Sequence, residues 1–385
     1  MAGKPLIVYS PHFTEYKFHE GHPFDPLRLR LWYELLETME AVSPEDLVFP
    51  QPASEEELLL VHTQEYIEAV KMASRGKVPP EPLQFNLGTE DNPIFPNMHQ
   101  IASLVVGGTL LAARLVMEEK AAHVFNVGGG LHHAMKDRAS GFCIYNDAAV
   151  AIQWLRRTYD VKVMYIDVDA HHGDGVQWVF YQEPEVMTVS FHETGRYLFP
   201  GTGGVLEKGS GEGYGYAVNV PLEPFTEDDS FIEALHKVLP TLMESFRPDI
   251  IVSQHGCDTH EYDPLTHLSL TTRGFVEAAR LIHQLAHDYC QGRWVVLGGG
   301  GYDIWRVVPR SWALLWGEIS GRQLPEKIPD AWRLKWTKAA PIPLPEFLHD
   351  DPADFPPKPR RDEISEKNRR TVMQALSRPV WSYLF

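Results

Sequence analysis

Three aspartates and two adjacent histidines crowd the stretch YIDVDAHHGDG at Tyr165–Gly175. The apolar run before them, KVMYIDV, is composed like a buried strand, so the polar side chains emerge where a strand ends. Asp169 and His171 are two apart and project to one side of an extended stretch, with Asp167 a further step back on that side. A carboxylate and an imidazole aimed together are the beginning of a divalent-metal site, which needs a third protein ligand and an open position to be catalytic. Asp258, in QHGCDTHEYDP, is the candidate third ligand, although an aspartate there is equally suited to capping a turn. His255 and His260 compete with it, and nothing in their spacing favours them. Two carboxylates and one imidazole suit Zn(II) or Fe(II). A metal held so would lower the pKa of a bound water toward neutrality.

A second histidine pair, His132 and His133, closes GGGLHH at 128–133. A histidine keeps one tautomer when its other ring nitrogen donates to a carboxylate, and Asp167 and Asp174 are the carboxylates left over for that task. The run GGGGYD at 298–303 has neither the GxGxxG spacing nor the lysine of a phosphate loop. It reads as a close backbone approach that swings the Tyr302 phenol into a site, where a hydroxyl can stabilise an oxyanion.

These groups need elements to hold them. Six apolar runs read as strands: 5–10, 123–127, 162–168, 186–191, 249–254 and 294–299. Amphipathic patterns at 27–39, 98–120, 146–159, 228–246 and 272–290 read as helices. Strand and helix alternate, which predicts a single α/β domain with a mostly parallel central sheet and helices on both faces. In such a sheet the ligand site lies outside the carboxyl ends of the strands. PHF, GGGLHH, DAHHGD, HETG, HGCD and GGYD each follow a strand, so glycine, histidine and aspartate converge on one edge. The catalytic domain is expected over 1–320. Residues 321–385, rich in proline and charge and ending in a short helix near EISEKNRRTVMQAL, are expected to pack as an extension on its surface.

With 52 acidic and 35 basic residues the net charge is −17. That disfavours direct binding of nucleic acid and suits a cationic substrate. Three cysteines without CxxC spacing argue against a disulfide framework. The N-terminal apolar run is too short for a signal peptide, and no run of about 20 apolar residues would span a membrane. A cytoplasmic protein is the expectation; nothing in the sequence sets its oligomeric state.

The segments IDVDAHHGDG, GGGLHHAMKDRASGFCIYND, SFHETGRYLFPGTG and LGGGGY, in this order, resemble the histone deacetylase superfamily with its arginase-like α/β fold. The likeness runs from about residue 5 to 318 and is strongest toward the bacterial acetoin-utilisation deacetylases, which look like the eukaryotic class I enzymes. It implies a zinc-dependent amidohydrolase that removes acetyl or another acyl group from the ε-amine of lysine in a protein or peptide. Position by position, Asp169, His171 and Asp258 match the metal ligands, and His132, His133, Asp167, Asp174 and Tyr302 the catalytic groups. Phe142 and Phe199 match the aromatic walls of an acyl-lysine tunnel, with Leu265, Gly141 and Gly300 as further substrate-binding positions. Asp91, preferred over Glu90, matches a rim aspartate that holds the substrate backbone. Arg28 matches an arginine of an internal exit channel. The resemblance also implies a potassium ion at Asp167, Asp169, His171, Ser190 and Phe191. Cys257, Thr266 and His267 depart from the usual pattern around the third ligand. An acetylpolyamine amidohydrolase would use the same site on small cations, but the long entrance loop of such enzymes has no counterpart here.

Overall fold

The computed structural model describes residues 3–377 apart from 78 and 80. Eight strands form one sheet: β1 (Leu6–Val8), β2 (Leu47–Val48), β3 (His123–Asn126), β4 (Val163–Asp167), β5 (Val186–Glu193), β6 (Ala217–Leu222), β7 (Ile250–Gln254) and β8 (Trp294–Leu297). Their order is β2-β1-β3-β8-β7-β4-β5-β6, and every pairing is parallel. All residues of β3, β4, β5, β7 and β8 are buried, which is why these strands read as continuous apolar runs without alternation. The chain leaves β3 and enters β4 with room for two strands between them, which β8 and β7 fill later. The loops that follow these four neighbouring strands therefore meet at one edge, the place where open α/β sheets bind ligands.

Two separate groups of helices cover the sheet. In one, Met98–Met117 packs on β3 and on Asp147–Tyr159; in the other, Asp228–Phe246, Thr272–Cys290, Val308–Ser320 and Leu27–Thr38 pack in series. Met98–Met117 is long and apolar enough by composition to cross a membrane, contrary to expectation, but 72% of its apolar window is buried inside the protein. A helix apolar on all sides is what a core position against a sheet demands.

Two strands escape the sequence reading. β2 has two residues, and β6 carries Pro221, which an edge strand tolerates because one side of it has no ladder to complete. Helix Arg361–Leu376 lies against β6 and against Asp228–Phe246. Asn368 fixes it there, donating to Thr226 Oγ1 (2.8 Å) and Ser230 Oγ (2.9 Å) and accepting from the Glu223 amide (3.0 Å). Residues 321–360 are more ordered than their composition suggests. Helix Asp330–Trp336 buries Trp332 and Trp336, and Trp332 Nε1 donates to the Leu31 carbonyl (3.0 Å). Asp350 is buried where it accepts from Arg310 Nη2 (2.8 Å), His260 Nε2 (2.9 Å) and the Thr272 amide (2.8 Å).

Candidate metal centre and substrate cavity

The end of β4 and the loop after β7 bring Asp169, His171 and Asp258 together. All three are buried, and their ligand atoms lie within 4.8 Å of one another. His171 Nδ1 is 2.8 Å from Asp258 Oδ2 and 3.1 Å from Asp169 Oδ1. Two carboxylates confined in one buried site repel each other. Burial and the charge of Asp169 push the Asp258 carboxyl up to about 6. A divalent cation at the point where the three groups converge would remove that repulsion, and the hard oxygen donors with one imidazole fit such an ion. His255 points elsewhere, bonding Ser253 Oγ (2.8 Å), and His260 is engaged with Asp350.

The backbone around these carboxylates is glycine for steric reasons. A Cβ at Gly256 would stand 1.9 Å from Asp169 Oδ2, and one at Gly300 would stand 2.1 Å from Asp258 Oδ2. The Gly300 amide donates to Asp169 Oδ2 (2.8 Å), so this residue supports the aspartates; it is not one of the residues lining the cavity beside them. Gln254, the last residue of β7, also donates to Asp169 Oδ2 (2.6 Å) and accepts from the Gly256 amide (2.8 Å).

The histidine pair after β3 stands beside this cluster. His132 Nδ1 donates to Asp167 Oδ2 (2.8 Å), and His133 Nδ1 donates to Asp174 Oδ1 (2.7 Å). The Tyr165 hydroxyl donates to the same Asp167 oxygen (2.7 Å). The loop that carries the pair is held by Asp147, which accepts from the amides of Gly130 (3.0 Å) and Leu131 (2.8 Å). Asn146 caps its helix by accepting from the Ala149 amide, and its Nδ2 donates to the carbonyls of His132 and Ala134. His172, by contrast, bonds Thr202 Oγ1 and Gln177 Oε1 and takes no part in the cluster.

A cavity of about 210 Å³ leads from the surface to this cluster, lined by Asp91, His133, Gly141, Phe142, His171, Leu198, Phe199, Leu265 and Tyr302. Phe142 stands edge-on to Tyr302 (centroids 5.9 Å), and Phe199 edge-on to His133 (5.0 Å). Phe142 adopts φ +70°, a left-handed conformation costly for a bulky residue. Tyr16 holds it, donating from its hydroxyl to the Phe142 carbonyl (2.8 Å) while accepting from the Ile144 amide (3.0 Å). Gly141, at φ +51°, leaves room for the His133 ring, which a Cβ would approach to 2.4 Å. Asp263 ties two walls together by accepting from the amides of Leu265 (2.9 Å) and Tyr302 (2.8 Å).

Residues 22–319 match the histone deacetylase domain. The chain belongs to the histone deacetylase family. It is 56% identical to the acetoin utilization protein AcuC of Bacillus subtilis (strain 168) over 373 residues, covering 96% of each chain. It is 44% identical to the AcuC protein of Staphylococcus aureus (strain MRSA252), covering 97% of each. The crystal structure of an HDAC homologue from Aquifex aeolicus matches with a TM-score of 0.87 at 32% identity, covering 96% of this chain and all of that one. A structure of an HDAC homologue complexed with SAHA matches equally well. The chain is thus a hydrolase of the deacetylase family, of the acetoin-utilisation type, a family whose fold implies a metal-dependent active site.

Of the remaining candidates, Arg28 is buried under the Tyr302 loop, donating from Nη1 to the Gly301 carbonyl (3.0 Å), with its guanidinium over the rings of Phe24 (4.3 Å) and Trp312 (5.2 Å). Ser190 pairs in register with Asp167 across β4 and β5, and its Oγ lies 2.8 Å from His192 Nδ1; Phe191 is fully buried beside it. Cys257 is buried below Gly301, where its sulfur would meet an added Cβ at 2.6 Å. Leu198, Gln254, Asp147 and Asp263 were not singled out from sequence. Leu198 alone had a signal, lying next to Phe199 in YLFPG.

Proposed function

We propose that this protein removes acetyl, or another small acyl group, from the ε-amine of lysine in proteins or peptides, using one Zn(II) held by Asp169, His171 and Asp258. The observation that carries the reading is the narrow cavity between Phe142 and Phe199. It ends where the three ligands, the two His–Asp pairs and Tyr302 meet. Its aromatic walls suit the apolar, unbranched chain of an acylated lysine, and Asp91, exposed at the rim, can accept from substrate backbone amides.

The bound metal supplies Lewis acidity at the end of the cavity. Phe142 and Phe199 hold the acyl-lysine stem and exclude water from it. A neutral imidazole of the His132–His133 pair takes a proton from the attacking water. The Tyr302 hydroxyl donates to the oxygen that becomes negative. An imidazolium of the pair then gives its proton to the departing lysine nitrogen as the C–N bond breaks, yielding a carboxylate and a free amine. A potassium ion at Asp167, Asp169, His171, Ser190 and Phe191 belongs to the same proposal, as does passage of the released acid past Arg28.

The test is hydrolysis by purified, zinc-loaded protein of an acyl-lysine peptide panel beside acetylpolyamines. Release of acid from acetyl-lysine peptides is the expected result. Turnover of acetylpolyamines with peptides untouched would overturn the protein-substrate reading.

A further inference from the structure

Three histidines meet on the opposite edge of the sheet. His123 is the first residue of β3, and His283 and His287 stand one turn apart on helix Thr272–Cys290. Their Nε2 atoms form a triangle with sides of 3.1 Å (His123–His283), 3.2 Å (His123–His287) and 3.2 Å (His283–His287). No arrangement of hydrogens satisfies this triangle. Each Nε2 is either a donor or an acceptor, so at least two of the three must be alike and face each other at hydrogen-bond distance. Charging the rings does not help, because each charged ring makes its Nε2 a donor and adjacent cations repel.

What satisfies all three atoms at once is a cation accepting three lone pairs. With Zn–N bonds of about 2.0–2.1 Å, these Nε2 separations give N–Zn–N angles of about 100°, close to tetrahedral. One outer ring nitrogen agrees. His283 Nδ1 faces Glu318 Oε1 at 3.1 Å, the carboxylate–histidine pairing that directs the opposite nitrogen's lone pair to a metal. Arg280 in turn holds Glu318 (3.4 Å). His123 Nδ1 is buried and makes no hydrogen bond, so that ring is held by packing and not by an acceptor on its outer nitrogen. The Trp294 indole stacks on His283 (centroids 5.2 Å, 23°) and stands edge-on to His123 (5.6 Å), fixing both rings. His287 is exposed, so the fourth position is open to water and to ions from solution.

We propose that His123, His283 and His287 form a second, separate Zn(II) site that fastens helix Thr272–Cys290 to the start of β3. It shares no residue with the Asp169–His171–Asp258 cluster, which lies at the carboxyl ends of the strands. Its role is to brace the helix against the sheet, at the margin of a surface cavity of about 530 Å³ that His283 and Glu318 help to line.

The experiment measures zinc per chain by elemental analysis after saturation with Zn(II) and desalting. Wild type is compared with His287→Ala, an exposed and readily tolerated change, and with Glu318→Gln. His287→Ala should hold one equivalent less than wild type, with deacylation per loaded active site unchanged. Glu318→Gln should bind at the second site about 10–100-fold more weakly. The same one-equivalent difference should appear between Asp258→Ala and Asp258→Ala/His287→Ala. Zinc K-edge absorption of the Asp258→Ala protein should show a shell of three imidazole nitrogens. Equal zinc content in wild type and His287→Ala, or a K-edge spectrum dominated by oxygen, would overturn the proposal.

Discussion

The Nε2 atoms of His132 and His133 lie 3.0 Å apart, while both Nδ1 atoms donate to carboxylates. Two neutral rings so oriented would oppose lone pairs across that gap, so the pair carries one extra proton between its inner nitrogens. Burial works against charge on His132, but Asp167 and Asp169 outweigh it and raise the ring to about 9. Burial and that neighbouring charge push His133 well below its usual value. One ring is thus set to give a proton and the other to take one, which is the division that amide hydrolysis requires.

That division makes the histidines and their carboxylates unequal under mutation. His133→Ala removes a proton carrier and should lower kcat by about 10²–10⁴-fold. Asp174→Asn leaves the ring in place and loosens its orientation, so a loss of about 10–100-fold is expected. Steady-state kinetics on both variants checks the ranking; an Asp174→Asn loss as large as that of His133→Ala would assign the carboxylate a direct part in proton transfer.

Tyr302 should act on the transition state rather than on binding. Tyr302→Phe removes a hydroxyl and almost no volume, so melting temperature and zinc content should hold. A lost oxyanion donor costs about 2.7–4 kcal/mol, a hundred- to a thousand-fold in kcat, with KM changing far less. A Tyr302→Phe enzyme with near-normal kcat and a lowered melting temperature would reduce the residue to packing.

Gly141 offers a test of crowding against backbone strain. Gly141→Ala introduces a Cβ that would stand 2.4 Å from the His133 ring, whereas Gly211, at a similar φ of +56°, has nothing within 4 Å. Both substitutions should cost about 1–2 kcal/mol of stability for the left-handed backbone. Only Gly141→Ala should also reduce kcat, by about 10²-fold if the ring is displaced by an ångström. Measuring kcat and denaturant midpoint on the two variants separates the effects.

Asp350 ties the segment after residue 320 to the body of the protein. Burial alone would raise its carboxyl, but His260 and Arg310 outweigh burial and hold it well below the usual carboxylate range. Asp350→Ala should destabilise the fold by about 3–5 kcal/mol by leaving Arg310 buried and unpaired. A depressed folded pKa contributes stability that is complete above the ordinary aspartate value near 3.9 and is lost as pH falls through the folded value. The gap between wild type and variant should therefore narrow as the pH falls below 4. Urea titrations across that range would show it.

Much of the site was legible because a parallel sheet gathers strand ends. The loops after β3, β4, β7 and β8 announce themselves by glycine, histidine and aspartate following apolar runs, and the structure brings them to one edge. Residues whose work is to hold others were not legible. Gln254 ends a strand with no motif around it, and its contact with Asp169 spans 85 positions of sequence. Asp147 looks like an ordinary first-turn carboxylate of its helix, and only the folded chain turns it toward the glycine loop. β6 was hidden by Pro221, and the histidine triangle by the distance between His123 and its two partners, since i,i+4 histidines on a helix are common without a ligand.

The strand order also has a temporal consequence. His132 and His133 are made early, while Asp258 follows β7 and Tyr302 follows β8, the strand that inserts between β3 and β7. Until β8 has left the ribosome, the sheet has a gap between β3 and β7, and the loops destined for one edge have no common edge to occupy. Synthesis of the intervening chain takes on the order of ten seconds or more. Over most of that interval the nascent protein carries Asp169 and His171 without Asp258 and without the enclosure around them. Activity therefore arrives late and at once, when the last central strand closes the sheet.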